Sequence, residues 1–343
     1  MSVRTSVGLP LLALFLGVAL VASLAVGAAR LPIGEVIATL AGRGDDTSRA
    51  IILDLRLPRA VLGALVGAAL AVSGAVFQAL LRNPLAEPYV LGVSGGAAVG
   101  AVGAVVLGWS ARSPWALPLA AFAGALLAIC AVLRITARVA RALDVRVLLL
   151  TGVIVGAFFN AIILLFLTFA DVERFRSAVF WLMGGLADAT WSSCVVLAAY
   201  LLPAAFVLVL LARPLNALSV SEETALYLGI RLARLKAAAY LLTSLLVAAT
   251  VAVSGVVGFV GLIVPHGVRL VWGSEHRVLL PAALLAGGCF VLVADSIART
   301  LAAPAELPLG VVTALVGVPL FAMLLQRKAG REAEVCPPAD EHA

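Results

Sequence analysis

Between Leu55 and Gly100 the chain carries two apolar runs with no charge in them, Ala60 to Leu81 and Pro88 to Gly100 onward. A polar knuckle, Arg82-Asn83-Pro84-Leu85-Ala86-Glu87, separates them, and Arg56 and Arg59 stand in front. As a helix the first run rises about 33 Å, enough to cross a bilayer core of about 30 Å, and a helix is one of only two folds whose backbone satisfies itself in hydrocarbon. The stretch is therefore a membrane hairpin with a structured turn. Gly63 and Gly67, then Gly92, Gly96 and Gly100, recur at helical spacing. Small residues let helix backbones approach closely in lipid, where burial alone gives no drive to associate.

The same pattern continues along the chain. Charge-free runs occupy Val7 to Ala29, Pro88 to Ala111, Ser113 to Leu133, Val147 to Ala170, Ala189 to Ala212, Val278 to Ala294 and Leu307 to Gln326. Ala237 to Val268 is free of formal charge over 32 residues, about 48 Å as one helix. That is too long for one upright span, and Ser254-Gly255 is where it should break into a full span and a short one. The total is ten spans. With 63% hydrophobic and 12% charged residues in 343, and a mean hydropathy of +1.15, the composition is far from that of a soluble domain. Val7 to Ala29 reads as a retained span, being longer than a signal-peptide core and preceded only by Arg4. Arg30 to Arg59, with Gly42, Gly44, Asp45, Asp46 and five arginines, reads as an exposed loop.

An even span count puts both termini on one side. That side holds 15 of the 24 basic residues, so the positive-inside rule places both ends in the cytoplasm. All but Lys236 and Lys328 of these are Arg, scattered singly between apolar runs, which is a topology signal and no nucleic-acid patch. Ala71-Val72-Ser73-Gly74 recurs as Ala252-Val253-Ser254-Gly255. Five spans between the copies would make the halves inverted, a transporter architecture, with Gly74 and Gly255 as packing positions. The halves are about 7–188 and 189–328, with a tail at 329–343, in a single domain over 1–343.

Several chemistries are excluded. Span centres carry no ionisable group, which disfavours an ion-coupled carrier. Asp295 and Arg299, at i and i+4, read as a rim pair. No protease or hydrolase motif appears, and no Gly-x4-Gly-Lys-[Ser/Thr] loop, so the chain neither catalyses nor binds ATP in that way. Cys130, Cys194, Cys289 and Cys336 lack CxxC spacing, and His266 and His276 lack a third ligand, so no metal site is expected. Work must then enter from another chain. In the loop 213–236, Ser221 to Gly229 opens with a Ser cap and acidic first turn and closes on Gly, reading as a short capped helix.

The runs LRLPRAVLGALVGAALAVSGAVFQALLRNPLAEPYVLGVSGGA, FWLMGG, GFVGLIVPH, HRVLLPAALLAG and AELPLGVVTALVGVPLF resemble the FecCD-type permease subunit of ABC importers for ferric siderophores, haem and vitamin B12. The resemblance implies an all-α polytopic membrane protein, ten helices in two inverted five-helix repeats, in a bacterial inner membrane. It implies a homodimer, two ATP-binding cassette ATPase subunits carrying ATP and Mg, and a periplasmic or lipid-anchored binding protein. It implies ATPase coupling through Glu222, Glu223, Ala225, Leu228 and Gly229, with Thr224 departing from the motif. Binding-protein docking would fall to Arg56, Arg59 and Arg299, read as water-exposed rim charges. Leu150, Thr151 and Gly152 would lie at the cytoplasmic gate. Trp181 and Met183, on a short re-entrant helix over Ser177 to Ala187, would sit at the pathway mouth, where interfacial packing explains them equally well. Alternatives are an ion-coupled secondary transporter and a non-transporting scaffold; the cargo is not written in the chain.

Overall fold

The computed structural model describes residues 3–27, 31–140 and 144–335, and these form helices and connections without a strand. Arg30, Arg141 and Cys336, like residues 336–343 of the tail, lie outside them. In chain order the helices are α1 (Val3–Ala25), α2 (Ile33–Leu40), α3 (Asp46–Arg49), α4 (Leu57–Leu80), α5 (Val93–Val106), α6 (Ala116–Val139), α7 (Val145–Thr168), α8 (Val172–Leu182) and α9 (Trp191–Leu210). They continue as α10 (Ala212–Val220), α11 (Glu222–Tyr227), α12 (Leu232–Ser254), α13 (Val260–Trp272), α14 (His276–Thr300) and α15 (Leu309–Val335).

Seven helical stretches are long and apolar enough to cross a bilayer: Gly8–Ala25, Asp46–Leu80, Ala116–Val139, Val145–Thr168, Trp191–Leu210, Leu232–Ser254 and His276–Thr300. The other three expected spans fall on shorter apolar helices, α5, α13 and the Leu309–Met323 part of α15. Backbone breaks explain two of them. Pro88 to Leu91 form a 3-10 turn and Gly92 takes φ +79°, so α5 starts late in its run. The break expected at Ser254-Gly255 is present: α12 stops at Ser254, Gly255 adopts φ +65°, and α13 restarts after Phe259 at φ +68°. A left-handed glycine costs little there, whereas a side chain on Phe259 in that region is strained.

These two breaks face each other. The Phe259 N–H donates to Glu87 Oε1 at 2.7 Å, the Tyr89 hydroxyl donates to the Val257 carbonyl at 2.9 Å, and the Val257 N–H returns to Tyr89 Oη at 3.2 Å. Side chains thus replace the helical ladder where the backbone leaves it, as burial of an unpaired amide would otherwise demand. Glu87, expected in a surface turn, is instead drawn in against the start of α13.

α4 is the central helix, almost wholly buried against α9, α12, α13 and α14. A Cβ on Gly67 would overlap the carbonyl of Gly287 in α14, one on Gly74 the carbonyl of Gly261 in α13, and one on Gly96 the carbonyl of Gly124 in α6. Those three expected packing glycines do bring backbones together. Gly63 does not, since it faces the side chains of Leu186 and Val291. Gly255 is the break itself, pressed against the Trp181 carbonyl. The two Ala-Val-Ser-Gly copies accordingly lie in unlike settings, one inside α4 and one at the end of α12.

The stretch 31–59 is largely exposed but is not an irregular loop. Within it α2, α3 and a π-helical turn at Ala50–Arg56 bury Val36 and Ile52 against Leu24, Ala60 and Leu292. The helices are short and bounded by Gly and Asp, so their apolar side was hidden by the turn-like composition around it. Cys194 and Cys289 are buried as expected, whereas Cys130 is exposed on α6.

Candidate functional site

Chain direction gives the bundle two ends. α4 runs from Arg59 to Leu80 and α12 runs back from Leu232 to Ser254, so Arg59 and Gly255 mark one end and Arg82 and Lys236 the other.

At the second end Ser221 caps α11 as its composition predicts, its Oγ accepting from the Thr224 N–H at 2.9 Å. Gly229 stops the helix at φ +73°, a conformation that a residue with a Cβ adopts poorly. The loop is no flexible tether, because α10 buries Leu215 and Leu218 and the Asn216 side chain accepts from the His276 N–H at 2.8 Å. Glu222 is bound within the chain, to the Lys236 ammonium at 2.7 Å and the Arg82 guanidinium at 3.3 Å. Ala225 is 0% exposed. Ala225 therefore cannot be an outward contact, which corrects that expectation, while the Glu222 side chain stays 32% exposed beside its ion pairs. What α11 does present is Glu223, Leu228 and Gly229, joined by Leu226 and by Tyr227 at 91% exposure. Nearby, the backbone N–H groups of Arg146 and Val147 hold the Asp144 carboxyl below the usual carboxylate range.

At the first end the three arginines meet, but they are not free rim charges. Arg56 is 9% exposed and donates to the Leu24 carbonyl at 2.6 Å. Arg299 is 7% exposed, pairs with Asp295 at 3.0 Å and donates to the Val26 and Ser23 carbonyls. The expected rim pair is therefore a buried one. Arg59 joins it, with Nη2 2.9 Å from Asp295 and Nη1 2.9 Å from Glu306. Such bidentate guanidinium–carboxylate contacts orient as well as attract. The sequence reading pairs Asp295 with Arg299 but not with Arg59 and misses Glu306 as a member of the arginine site, although a lone acid opening the Glu-Leu-Pro-Leu-Gly run is a usable signal.

Beside this network opens a cleft of about 920 Å³, lined by Arg59, Asp295 and Glu306 and by Trp115, Phe180 and Trp181. Its floor is a backbone joint. Gly185 N–H donates to the Ser254 carbonyl at 2.9 Å, and the first N–H groups of α15, on Leu309 and Gly310, donate to the Gly184 and Met183 carbonyls at 3.0 Å. A short helix is present but offset from the expected Ser177 to Ala187: α8 begins at Val172, capped by Asp171, and ends at Leu182, so Met183 lies just past it. Trp181 lines the cleft and Met183 contributes its carbonyl to the joint. Leu150, Thr151 and Gly152 stand far from them near the start of α7, with Gly152 packed against the Gly92 turn and Leu150 exposed. The two groups thus lie at opposite ends of the bundle, as the cytoplasmic-gate and outer-mouth expectations had them apart. His276 Nδ1 lies 2.6 Å from Asn216 Oδ1, and no group of three or more potential ligands occurs among the described residues.

Residues 14–327 match the sequence profile of the FecCD transport family. The hemin transport system permease protein HmuU of Yersinia pestis is 41% identical over 83% of this chain and 85% of its own length. The vitamin B12 import system permease protein BtuC of Klebsiella pneumoniae is 42% identical over 93% of both chains. A solved structure of a metal-chelate type ABC transporter in an inward-facing conformation superposes with a TM-score of 0.85 at 34% identity, covering 93% of this chain and 98% of that one.

Proposed function

Since this chain belongs to the FecCD transport family of ABC permeases, we propose that two copies of it form the translocation pathway of an ATP-driven importer for haem, a ferric chelate or cobalamin. The observation that carries the reading is the exposed apolar tip of α11, Leu226-Tyr227-Leu228, held rigidly by the Glu222 ion pairs. A multi-pass chain that leaves a tyrosine bare on a stapled, water-facing helix offers an anchor for another protein, since interface hot spots favour such aromatic residues. That protein is the ATPase, and α11 faces the cytoplasm with both termini.

The other end receives an extracytoplasmic binding protein. Its docking charge is Arg59, which reaches the cleft, with Arg56 and Arg299 behind it as buried supports. Inverted five-helix halves account for the fold: each half contains a span, a backbone break and a short helix, α4 then α5 and α12 then α13, running in opposite senses. The cleft and the two backbone breaks support a reading in which helix ends line a path between the copies. An ion-coupled carrier is the second reading, and Glu87 is the acid that would serve it.

Reconstitution separates them. Proteoliposomes holding the permease and its ATPase, supplied with the binding protein, should take up haem, ferric chelate or cobalamin when ATP is enclosed with the ATPase and not when it is absent. Uptake driven by an ion gradient with no nucleotide would overturn the proposal.

A further inference from the structure

We propose that Glu306 is a built-in stand-in for the partner's carboxylate, occupying the edge of Arg59 that an acidic side chain of the binding protein takes on docking. The proposal rests on the docking role given to Arg59 above.

Arg59 divides its donors between two acids. Nε and Nη2 go to Asp295, at 3.1 and 2.9 Å, and Nη1 goes to both oxygens of Glu306, at 3.0 and 2.9 Å. The two acids are not equivalent. Asp295 sits on α14, its side chain 3% exposed, and also pairs with Arg299, whereas the Glu306 side chain is 45% exposed on the connection between α14 and α15. Breaking a buried pair strands a charge, while an exposed one exchanges readily for water or another anion. Nη1 is therefore the exchangeable donor, and a carboxylate arriving from outside meets it already in the right geometry.

The exchange has a mechanical consequence. Glu306 precedes Leu307, whose N–H donates to the Ala298 carbonyl at 3.0 Å, and three residues later Leu309 and Gly310 clip the start of α15 to the end of α8. A freed Glu306 removes the ion pair that ties the connection to α4, leaving the backbone hydrogen bonds and the packing of Leu307 and Leu309 to hold it. Docking at Arg59 then loosens the joint between α15 and α8 on the floor of the cleft, so that arrival of the partner is registered at the pathway.

The test uses the assembled permease–ATPase complex in nanodiscs, with a spin label at exposed position 302 and the separately purified, cargo-free binding protein as probe. Glu306→Gln should narrow the label's spectrum without any partner, as the binding protein does in the wild type. At low salt Glu306→Gln should bind the partner about threefold to tenfold more tightly, chiefly through a faster on-rate. An unchanged spectrum or unchanged affinity in Glu306→Gln overturns the stand-in. Arg59→Gln separates the two layers: if it binds as wild type the docking role fails, and if it weakens binding while Glu306→Gln behaves as wild type, docking stands and the stand-in falls.

Discussion

Ala225 shows how far one residue's role depends on which side of a short helix it occupies. By its place in the motif it belongs with the coupling contacts, yet it faces inward and is fully buried. Ala225→Glu should therefore destabilise the α10–α11 region itself, by on the order of 3 kcal/mol for an unpaired buried charge, and lower the yield of folded protein. Tyr227→Ala should instead leave yield and thermal stability unchanged and reduce ATPase recovered in pull-down by tenfold or more, as loss of an aromatic anchor does. Equal yield and equal ATPase recovery in both variants would refute this division. The capping Ser221 and the stop at Gly229 were legible because each requirement is local, and the packing roles of Gly67, Gly74 and Gly96 because small residues at helical spacing mark a face that another helix approaches. The inward turn of Ala225 and the pairing of Glu222 with Lys236 were not, because they depend on how α11 lies on α12.

Among the elements, α4 and the two short helices carry the architecture. Gly74→Leu drives a side chain into the backbone of α13 and should abolish assembly, whereas Gly63→Ala needs only a small shift of Leu186 and should extract from membranes as the wild type does. Size-exclusion profiles of the two variants check this contrast. Gly229→Val acts differently, straining the helix stop by about 1 kcal/mol. It should retain the fold and binding-protein affinity while transport falls more steeply than expression, as uptake per mole of purified complex would show. Spans α1, α6, α7, α9 and α14 were legible from charge-free length. The reach of α5 was not, since apolarity measures solvent preference and does not reveal where Gly92 turns the chain. The region from Arg30 to Arg59 was misread for a related reason: helices of four to eight residues are too short for a periodicity to rise above their polar neighbours.

For the whole molecule, the two ends carry opposite duties only if they lie on opposite sides of the membrane. In a cysteine-free background, Tyr227→Cys should react with a membrane-impermeant maleimide only after spheroplasts are opened, and Ala302→Cys should react in intact spheroplasts. Labelling of both from the same side would contradict the topology and with it the assignment of partners. The facing backbone breaks also bear on synthesis. Glu87 and Tyr89 leave the ribosome well over a hundred residues before Val257 and Phe259, the groups that satisfy them. The nascent first half must wait in the membrane with a carboxylate and a phenol unmatched, a state that quality-control proteases recognise. A chain ended after Ser254 should accordingly have a shorter pulse-chase half-life than one ended after Ser274, although it omits only α13 and its lead-in.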